Sequence, residues 1–369
     1  MASETPGTPR RSGRPERPAF LGVIALLSLG AVLSPALLYA YSPRDDGTES
    51  PSNEVNVVIG GADLEETFRV RRQQASAELE SAMAQATETA ATLPPEVLAS
   101  DSGRALVDAM EEAEVLVAQP GEVSGVEVLA QRNVMEQALR DATWKETEYA
   151  ALLTDLTDLF AGRRGAVAAV DVQTGGVVVS FNADQVFTAA STYKIFTAYS
   201  MIQAVESGEM TWGSPLAGTT MERCFDRMLT YSDNPCPLAW FRNAGYDRVQ
   251  KQARDLGAVN TSIRQGGLNT TALDLATALR ALAATNAISD PSRERMFGLM
   301  ESQEDREGIP AAIEPDHGVV ADKVGYLNAL LHDAAIISTD KGDYALVVLT
   351  ENASWEIIAK AATLVYDYL

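Results

Sequence analysis

The sequence contains very few of the side chains that bind metals. It has two cysteines and two histidines in 369 residues, which leaves little material for a metal cluster. We therefore expect neither a metal nor another cofactor. Hydrophobic residues make up 46% of the chain and charged residues 22%, values that are ordinary for globular proteins and exclude disorder over the whole length.

Positive charge is also scarce. The chain has 29 lysines and arginines against 51 aspartates and glutamates, so its formal net charge is −22. Because the phosphates of DNA or RNA would be repelled by such a surface, this balance argues against nucleic acid as a partner.

The N-terminus departs from this acidic character. Residues 1–19 contain four arginines, and residues 20–41 that follow carry no charge. A helix of this length can cross a bilayer core of about 30 Å, and basic residues tend to stay in the cytoplasm. We therefore predict a basic cytoplasmic tail at 1–19 and a single-pass plasma-membrane anchor at 20–41. The alternative is a cleaved signal peptide that leaves a secreted protein, and both interpretations export the rest of the chain.

Export affects how the two cysteines are interpreted. Cys224 and Cys236 are 12 positions apart and would be free to oxidise outside the cytoplasm. We favour a disulfide between them over two separate buried side chains. Zinc is a poor alternative, because His317 and His332 do not form a compact pair of ligands.

Residues 42–61 have the composition of a polar linker, and residues 62–143 that of a helical, membrane-proximal stalk. Three helices are predicted in the stalk; the third ends near Leu139, and a separate amphipathic helix begins near Trp144. The stalk is either a spacer that packs on itself or its neighbour, or a coiled coil that binds a partner whose identity is unknown. The absence of a heptad pattern over three repeats favours the spacer.

The remaining residues, 144–369, have strand-like runs at both ends. Residues 166–172 and 177–181 form a predicted hairpin, and residues 319–324, 334–338 and 344–350 are predicted strands before a closing helix. The region between is mainly helical. This order predicts an α/β (α+β) fold, with one sheet built from both ends of the domain and a helical lobe inserted in the middle.

Ser191 and Lys194 are candidates for chemistry at the start of a predicted helix. Their spacing of three residues puts the lysine one turn after the serine on the same face. A serine hydroxyl is a weak nucleophile until a base removes its proton, and a partly buried lysine can be that base. The same spacing recurs at Ser338 and Lys341, in a predicted turn between two strands where it has no such meaning. Alone, the pattern is weak.

Two further motifs make the signal more specific. Ser232-Asp233-Asn234 lies in a predicted loop, and Lys323-Val324-Gly325 lies on a predicted strand. Each tripeptide is commonplace by itself. The three motifs in this order match the signature of class A β-lactamases and penicillin-binding proteins.

On these motifs, residues 144–369 resemble the penicillin-recognising serine hydrolases, in particular the class A β-lactamase branch. Residues 189–195, Ala-Ala-Ser-Thr-Tyr-Lys-Ile, are similar to the nucleophile segment of that family. The resemblance implies a β-lactamase/transpeptidase-like fold, in which about five antiparallel strands lie beside a helical lobe with the active site between them.

The resemblance also implies a role for each motif residue. Ser191 corresponds to the acylated nucleophile and Lys194 to its base. Ser232 corresponds to the group that passes a proton to the leaving nitrogen, and Asn234 to a contact with the lysine and the substrate amide.

The strand motif completes the predicted site. Lys323 corresponds to the cation that attracts the substrate carboxylate, and Gly325 belongs to the same substrate-binding strand. The backbone N–H groups of Ser191 and Tyr326 would form the oxyanion hole, which usually contributes most to lowering the barrier.

The sequence departs from the family pattern at two places. Val324 stands where the family usually has Thr or Ser, whose hydroxyl helps to bind the carboxylate. Residues 261–269 lack the glutamate that class A β-lactamases carry in their omega loop; Gln265 stands four residues before Asn269, where that glutamate would be, and an amide is not a general base. We therefore expect an acyl-enzyme that forms faster than it hydrolyses.

These features leave three candidate functions. The first is an acyl-transfer enzyme acting on a β-lactam or a peptidoglycan stem peptide, which the motif residues favour. The second is a penicillin-binding sensor, which a cytoplasmic tail of 19 residues makes improbable. The third is a catalytically weak surface-binding or scaffold protein that keeps the fold, which Val324 and the missing glutamate favour.

Overall fold

The computed structural model describes residues 61–119, 123–284, 286–314 and 316–369. The predicted tail at 1–19, the anchor at 20–41 and almost all of the linker at 42–61 lie outside this part. In the described part of the chain, no helix combines the length and the apolar character needed to cross a bilayer.

The strands are β1 (Arg164–Asp171), β2 (Val177–Phe181), β3 (Phe187–Thr188), β4 (Pro215–Leu216), β5 (Thr219–Thr220), β6 (Ser262–Arg264), β7 (Gly267–Thr270), β8 (Gly318–Leu327), β9 (Leu330–Thr339) and β10 (Gly342–Glu351). The main sheet has five strands in the order β2-β1-β10-β9-β8, and all neighbouring pairs are antiparallel. The sheet is built from both ends of the predicted domain, which confirms the predicted mixed fold with an antiparallel sheet. β8 lies at one edge of this sheet.

The helices are α1 (Gly61–Ala90), α2 (Pro95–Leu98), α3 (Asp101–Val117), α4 (Gly125–Leu159), α5 (Lys194–Glu206), α6 (Met221–Thr230), α7 (Pro235–Ala244), α8 (Tyr246–Asp255), α9 (Ala272–Ala284), α10 (Asp290–Glu301), α11 (Ile309–Ile313) and α12 (Trp355–Tyr368). A 3₁₀ helix at Ala190–Tyr193 leads directly into α5. The helices from α5 to α10 form the predicted lobe between the two groups of strands.

Both faces of the sheet are covered, as the central strand β10 shows. Its residues Ala345, Val347 and Leu349 belong to the core shared with the helical lobe. The alternate residues Leu346 and Val348 belong to a second core on the other face, shared with α12 and the N-terminal helices. A strand that is buried on both faces has a nearly continuous apolar sequence, which explains the run from 345 to 349.

The N-terminal helices pack against the second face of the sheet. Leu79 of α1, Leu106 of α3 and Met135 of α4 are fully buried and belong to the same core as Leu346 and Val348. Residues 60–369 accordingly form one compact unit. The segment predicted as a stalk therefore shares its core with the hydrolase domain.

α4 differs from the prediction of two separate helices. It begins with a capping box, in which the Ser124 hydroxyl accepts a hydrogen bond from the Glu127 N–H and the Glu127 carboxylate accepts one from the Ser124 N–H. It then runs without interruption to Leu159, through the predicted domain boundary between 143 and 144. The predicted break after Leu139 is wrong because residues 140–143, Arg-Asp-Ala-Thr, contain neither proline nor glycine to end a helix.

Candidate active site

The loop-to-helix junction before α5 presents Ser191. Ala190 has a φ of +45°, a left-handed conformation that is unfavourable for a residue with a Cβ, and Ser191 follows it in the 3₁₀ helix. The segment is joined to β7 by strand pairing of Thr188 with Asn269 and by a hydrogen bond of 2.8 Å from the Ala189 N–H to the Leu268 carbonyl. These contacts hold the residues immediately before the candidate nucleophile against β7.

Lys194 lies one turn after Ser191 and is completely buried. Its Nζ is 2.9 Å from Ser191 Oγ, 3.1 Å from Ser232 Oγ, 2.5 Å from the Ser232 carbonyl oxygen and 3.0 Å from Asn234 Oδ1. The structure thus brings the first two motifs together around one nitrogen. Burial, assisted by the positive charge of Lys323, lowers the pKa of Lys194 to about 7.

The protonation state of Lys194 decides what it can do. The Ser232 carbonyl and Asn234 Oδ1 can only accept hydrogen bonds, so they take two N–H groups of the lysine. In the neutral amine these are the only N–H groups, and the lone pair is then free to accept the Ser191 hydroxyl proton. A pKa near neutrality makes this form available at physiological pH.

The turn that carries Ser232 is fixed by several contacts. Ser232 itself has a φ of +56°. The Asp233 carboxylate forms an ion pair of 2.8 Å with Arg227 and accepts a hydrogen bond of 3.2 Å from the Cys236 N–H. Cys224 of α6 and Cys236 of α7 form a disulfide in the structure, so the turn is bracketed on both sides.

The strand motif lies against the nucleophile. A Cβ on Gly325 would be 2.8 Å from the Ser191 nitrogen and 3.0 Å from the Thr192 nitrogen, so only glycine allows β8 to approach this closely. Tyr326, the next residue on this edge strand, lines the cleft in front of Ser191. The role of its backbone N–H in an oxyanion hole stays a prediction.

Lys323 is fully buried on the same strand. Its Nζ donates a hydrogen bond of 3.0 Å to the Val324 carbonyl oxygen, and burial lowers its pKa to about 8. Lys323 therefore remains mostly protonated at neutral pH, and its positive charge disfavours protonation of Lys194. The predicted role of Lys323 in binding a substrate carboxylate stays a prediction.

The cleft has a volume of about 430 Å³. It is lined by Thr188, Ala190, Ser191, Tyr193, Asn234, Leu238, Tyr246, Arg264, Gly266, Gly267, Leu268, Tyr326 and Leu327. None of these lining residues is an aspartate or a glutamate. Gln265 lies exposed in the turn between β6 and β7 and is not among the lining residues, so it does not occupy the position of an omega-loop base.

His332, considered in the sequence only as a metal ligand, instead supports the nucleophile segment. Its Nδ1 accepts a hydrogen bond of 3.1 Å from the Thr350 N–H, so its Nε2 carries the hydrogen and donates to the Thr188 carbonyl at 2.9 Å. Burial lowers the pKa of His332, which favours this neutral form. No group of three or more His, Cys, Asp or Glu side chains in the described residues is arranged to hold a metal ion.

A second feature that the sequence did not indicate lies behind the strand motif. Asp322 and Asp333 are fully buried on adjacent strands, on the sheet face opposite to Lys323. Asp322 Oδ1 is 2.5 Å from Arg306, and Asp333 Oδ2 accepts a hydrogen bond of 2.8 Å from the Ile309 N–H.

The remaining oxygen of each carboxyl group, Asp322 Oδ2 and Asp333 Oδ1, has no partner. Burial raises the pKa of both groups, and the neighbouring Asp333 carboxylate raises that of Asp322 further. A single proton shared between the two free oxygens would give each of them a hydrogen-bond partner. We assign this proton to the pair rather than to either residue alone.

Comparison with known proteins agrees with this geometry. The model of the beta-lactamase enzyme family matches residues 150–369. The chain belongs to this family. Its described hydrolase domain is a penicillin-recognising serine hydrolase domain. No curated protein matches the chain.

Solved structures show the same fold at low sequence identity. PBP-A is 22% identical, with a TM-score of 0.53 over 59% of this chain and 95% of that one. A PBP-A mutant, solved as an acyl-enzyme complex with penicillin G, is 20% identical with a TM-score of 0.55, over 59% and 96% of the two chains. A β-lactamase from Sphaerobacter thermophilus DSM 20745 is 22% identical, with a TM-score of 0.53 over 60% and 94%.

The buried carboxyl pair predicts a pH dependence of stability. Because its pKa values are raised in the folded state, the fold holds a proton that the unfolded chain has lost above about pH 4, so this contribution to stability falls as the pH rises. Asp333→Asn supplies a permanent N–H donor toward Asp322. We expect its thermal midpoint to fall less than that of the wild type between about pH 5 and about pH 9.

Asp316→Asn is the matched control, because Asp316 is exposed. Its midpoint should follow the wild-type curve. A curve for Asp333→Asn that is parallel to the wild type over the whole range would contradict the shared proton.

Proposed function

We propose that the protein is a serine hydrolase that forms an acyl-enzyme through Ser191 with β-lactams or with D-Ala-D-Ala-type amide bonds of peptidoglycan stem peptides. The observation that carries this proposal is the Lys194 nitrogen, which has a pKa lowered to about 7 and lies 2.9 Å from Ser191 Oγ at the wall of an open cleft. Family membership supports the same reaction class.

The proposed acylation uses the residues around Lys194. Neutral Lys194 accepts the hydroxyl proton as Ser191 Oγ attacks the substrate carbonyl carbon and forms a tetrahedral oxyanion. Collapse of this intermediate breaks the carbon–nitrogen bond and leaves the acyl group as an ester on Ser191. The proton passes from Lys194 through the Ser232 hydroxyl, 3.1 Å away, to the departing nitrogen.

Substrate binding would use β8 and the start of α5. The backbone N–H groups of Ser191 and Tyr326 would stabilise the oxyanion, and Lys323 would attract the substrate carboxylate. The close approach at Gly325 supports this arrangement, because it brings the edge strand against the Ser191 nitrogen. Asn234 would contact the substrate amide in addition to Lys194.

We propose that deacylation is slow. Hydrolysis of the ester requires a base that activates water, and the residues lining the cleft include no carboxylate. Lys194 is the base that remains close to the ester, and it would serve both steps. General-base assistance is typically worth about 10²–10⁴-fold, so its loss would give a long-lived adduct.

A second candidate function is a surface-binding or scaffold protein that keeps the fold but turns over little substrate. Val324 supports it, because a buried valine cannot supply the hydroxyl that helps to bind the carboxylate in the family.

In either case we propose that residues 20–41 hold the domain at the outer face of the plasma membrane. This proposal rests on the charge pattern of the sequence.

The central prediction is that benzylpenicillin labels Ser191. Incubation of the purified protein should give one adduct, seen by intact-mass measurement and located on the peptide that contains Ser191. Ser191→Ala should give none, because the attacking oxygen is lost. Labelling that persists in Ser191→Ala would contradict the assignment, and a wild type that forms no adduct would favour the scaffold.

The acylation rate should depend on the protonation of Lys194. Because the neutral amine is the proposed base and its pKa is lowered to about 7, the rate should rise with pH and level off above this value. Stopped-flow rates of acylation across the pH range measure this midpoint. Lys194→Arg, which stays protonated, should lose the rise together with at least about 10²-fold in rate. A flat wild-type profile would contradict the role of Lys194.

Slow deacylation predicts a burst with the chromogenic cephalosporin nitrocefin. The first turnover should release about one equivalent of product per active site, followed by a much slower steady phase. Lys194 serves as the base for acylation, whereas hydrolysis of the ester needs a base that activates water, and no carboxylate lines the cleft to do so. A quenched-flow time course measures both phases, and active sites are counted by titration with labelled penicillin. Fast, linear turnover without a burst would reject the proposal.

A further inference from the structure

The cleft beside Ser191 carries one charged side chain on its lining, that of Arg264 at the end of β6. The other lining residues are apolar, aromatic or uncharged polar residues and glycines. A lone cation is notable in a protein with a formal net charge of −22, because acidic side chains could have neutralised it. The described residues provide no ion pair or hydrogen-bond acceptor for its guanidinium group.

The hairpin of β6 and β7 holds the backbone of Arg264 in a fixed position relative to Ser191, and its side chain is exposed. Arg264 pairs with Gly267 across the turn, and β7 in turn pairs with β3, directly ahead of the nucleophile segment. A Cβ on Gly267 would be 3.7 Å from Arg264 Nε, so the side chain lies alongside a residue that has no side chain of its own. Gly266, with a φ of +81°, forms the turn.

The outer edge of the hairpin is also secured. The Gln250 side chain donates a hydrogen bond of 2.9 Å to the Thr261 carbonyl and accepts one of 2.6 Å from the Ile263 N–H, as a neighbouring strand would. The Thr261 hydroxyl contacts Thr270 and the buried Asp274 carboxylate. The position of Arg264 is therefore built into the fold.

The cleft extends away from Lys323. Tyr326 and Leu327 line it, whereas Lys323 does not, although all three lie on β8. At about 3.3 Å per residue, Tyr326 is roughly 10 Å further along the strand than Lys323. A substrate whose carboxylate is drawn toward Lys323 would therefore place its other half, the acyl side chain, between Tyr326 and the hairpin that carries Arg264.

We infer that Arg264 is a specificity-determining residue that selects substrates with an anionic group on the acyl side of the bond that Ser191 attacks. The chemical class is a β-lactam or peptide whose acyl side chain carries a free carboxylate near the reacting carbonyl. A guanidinium group suits this task because it binds a carboxylate through two parallel N–H donors. The inference rests on the proposed acylation of Ser191.

Three penicillins that share the phenylacetyl side chain test the inference. They differ only in the substituent on its α carbon: hydrogen in benzylpenicillin, an ammonium group in ampicillin and a carboxylate in carbenicillin. The measurement is the second-order rate of acylation of the full-length protein, taken as ratios between the three compounds. Ratios cancel any difference in the fraction of folded protein or in the reactivity of Ser191.

The wild type should acylate faster with carbenicillin than with benzylpenicillin. Arg264→Gln should lower the carbenicillin-to-benzylpenicillin ratio about fivefold, the size of one partly exposed ion pair. Arg264→Glu should lower it further and raise the ratio for ampicillin. Arg254→Gln is the matched control, because it removes the same charge from an exposed position on α8 outside the cleft lining, and its ratios should equal those of the wild type.

The outcomes separate this inference from the proposed function. Adducts with all three penicillins at ratios that neither Arg264 variant changes would overturn the role of Arg264 and leave Ser191 acylation intact. No adduct with any of them in the wild type would overturn both. A ratio that changes equally in Arg254→Gln would assign the effect to net charge and overturn the inference as well.

Discussion

The site depends on one electrostatic constraint, the burial of a lysine amine next to a serine hydroxyl. Removing an ammonium group from water is costly, and the protein relieves the cost by lowering the pKa of Lys194 rather than by giving it a carboxylate partner. Asp233 is close enough to raise this pKa, but its carboxylate is engaged by Arg227 and the Cys236 N–H. The lysine is left with hydrogen-bond acceptors that orient it without neutralising it.

A second constraint is steric and follows from the first. A buried amine is useful only if the substrate carbonyl can reach the serine beside it, and the edge strand β8 must then lie close to the nucleophile. Gly325 permits this approach, and His332, its pairing partner on β9, secures the residues ahead of the nucleophile through the Thr188 carbonyl. In the neutral tautomer of His332, Nδ1 accepts from the Thr350 N–H and Nε2 donates to the Thr188 carbonyl. A charged ring carries a hydrogen on both nitrogens and could not accept.

Much of this arrangement could be predicted from the sequence, because its parts are local. The strands at both ends follow from short apolar runs, and the proximity of Ser191 and Lys194 follows from a spacing that one helix turn fixes. The catalytic and binding roles of these residues and of Lys323 stay predictions. His332 and the Asp322–Asp333 pair were not predicted, because Thr188 is 144 residues from His332 in the chain and the two aspartates meet only across two strands. The continuity of α4 was not predicted because the charged residues Lys145 and Glu146 interrupt the apolar pattern of its buried face between Ala142 and Tyr149.

The hairpin of β6 and β7 occupies the part of the chain where the sequence comparison expected a base, and it carries a cation instead. In the sequence, residues 261–269 were interpreted only by comparison with an omega loop, as a stretch that lacks a glutamate. In the structure the same residues pair with β3 and form one wall of the cleft, where Arg264 is the charged side chain. A cation at this wall would stabilise an anionic acyl group in the adduct but would not activate water, because a guanidinium group cannot accept a proton. A hairpin that carries Arg264 and no carboxylate would therefore favour retention of a bound acyl group over its hydrolysis. Selective binding and slow release would then both follow from the composition of residues 261–269.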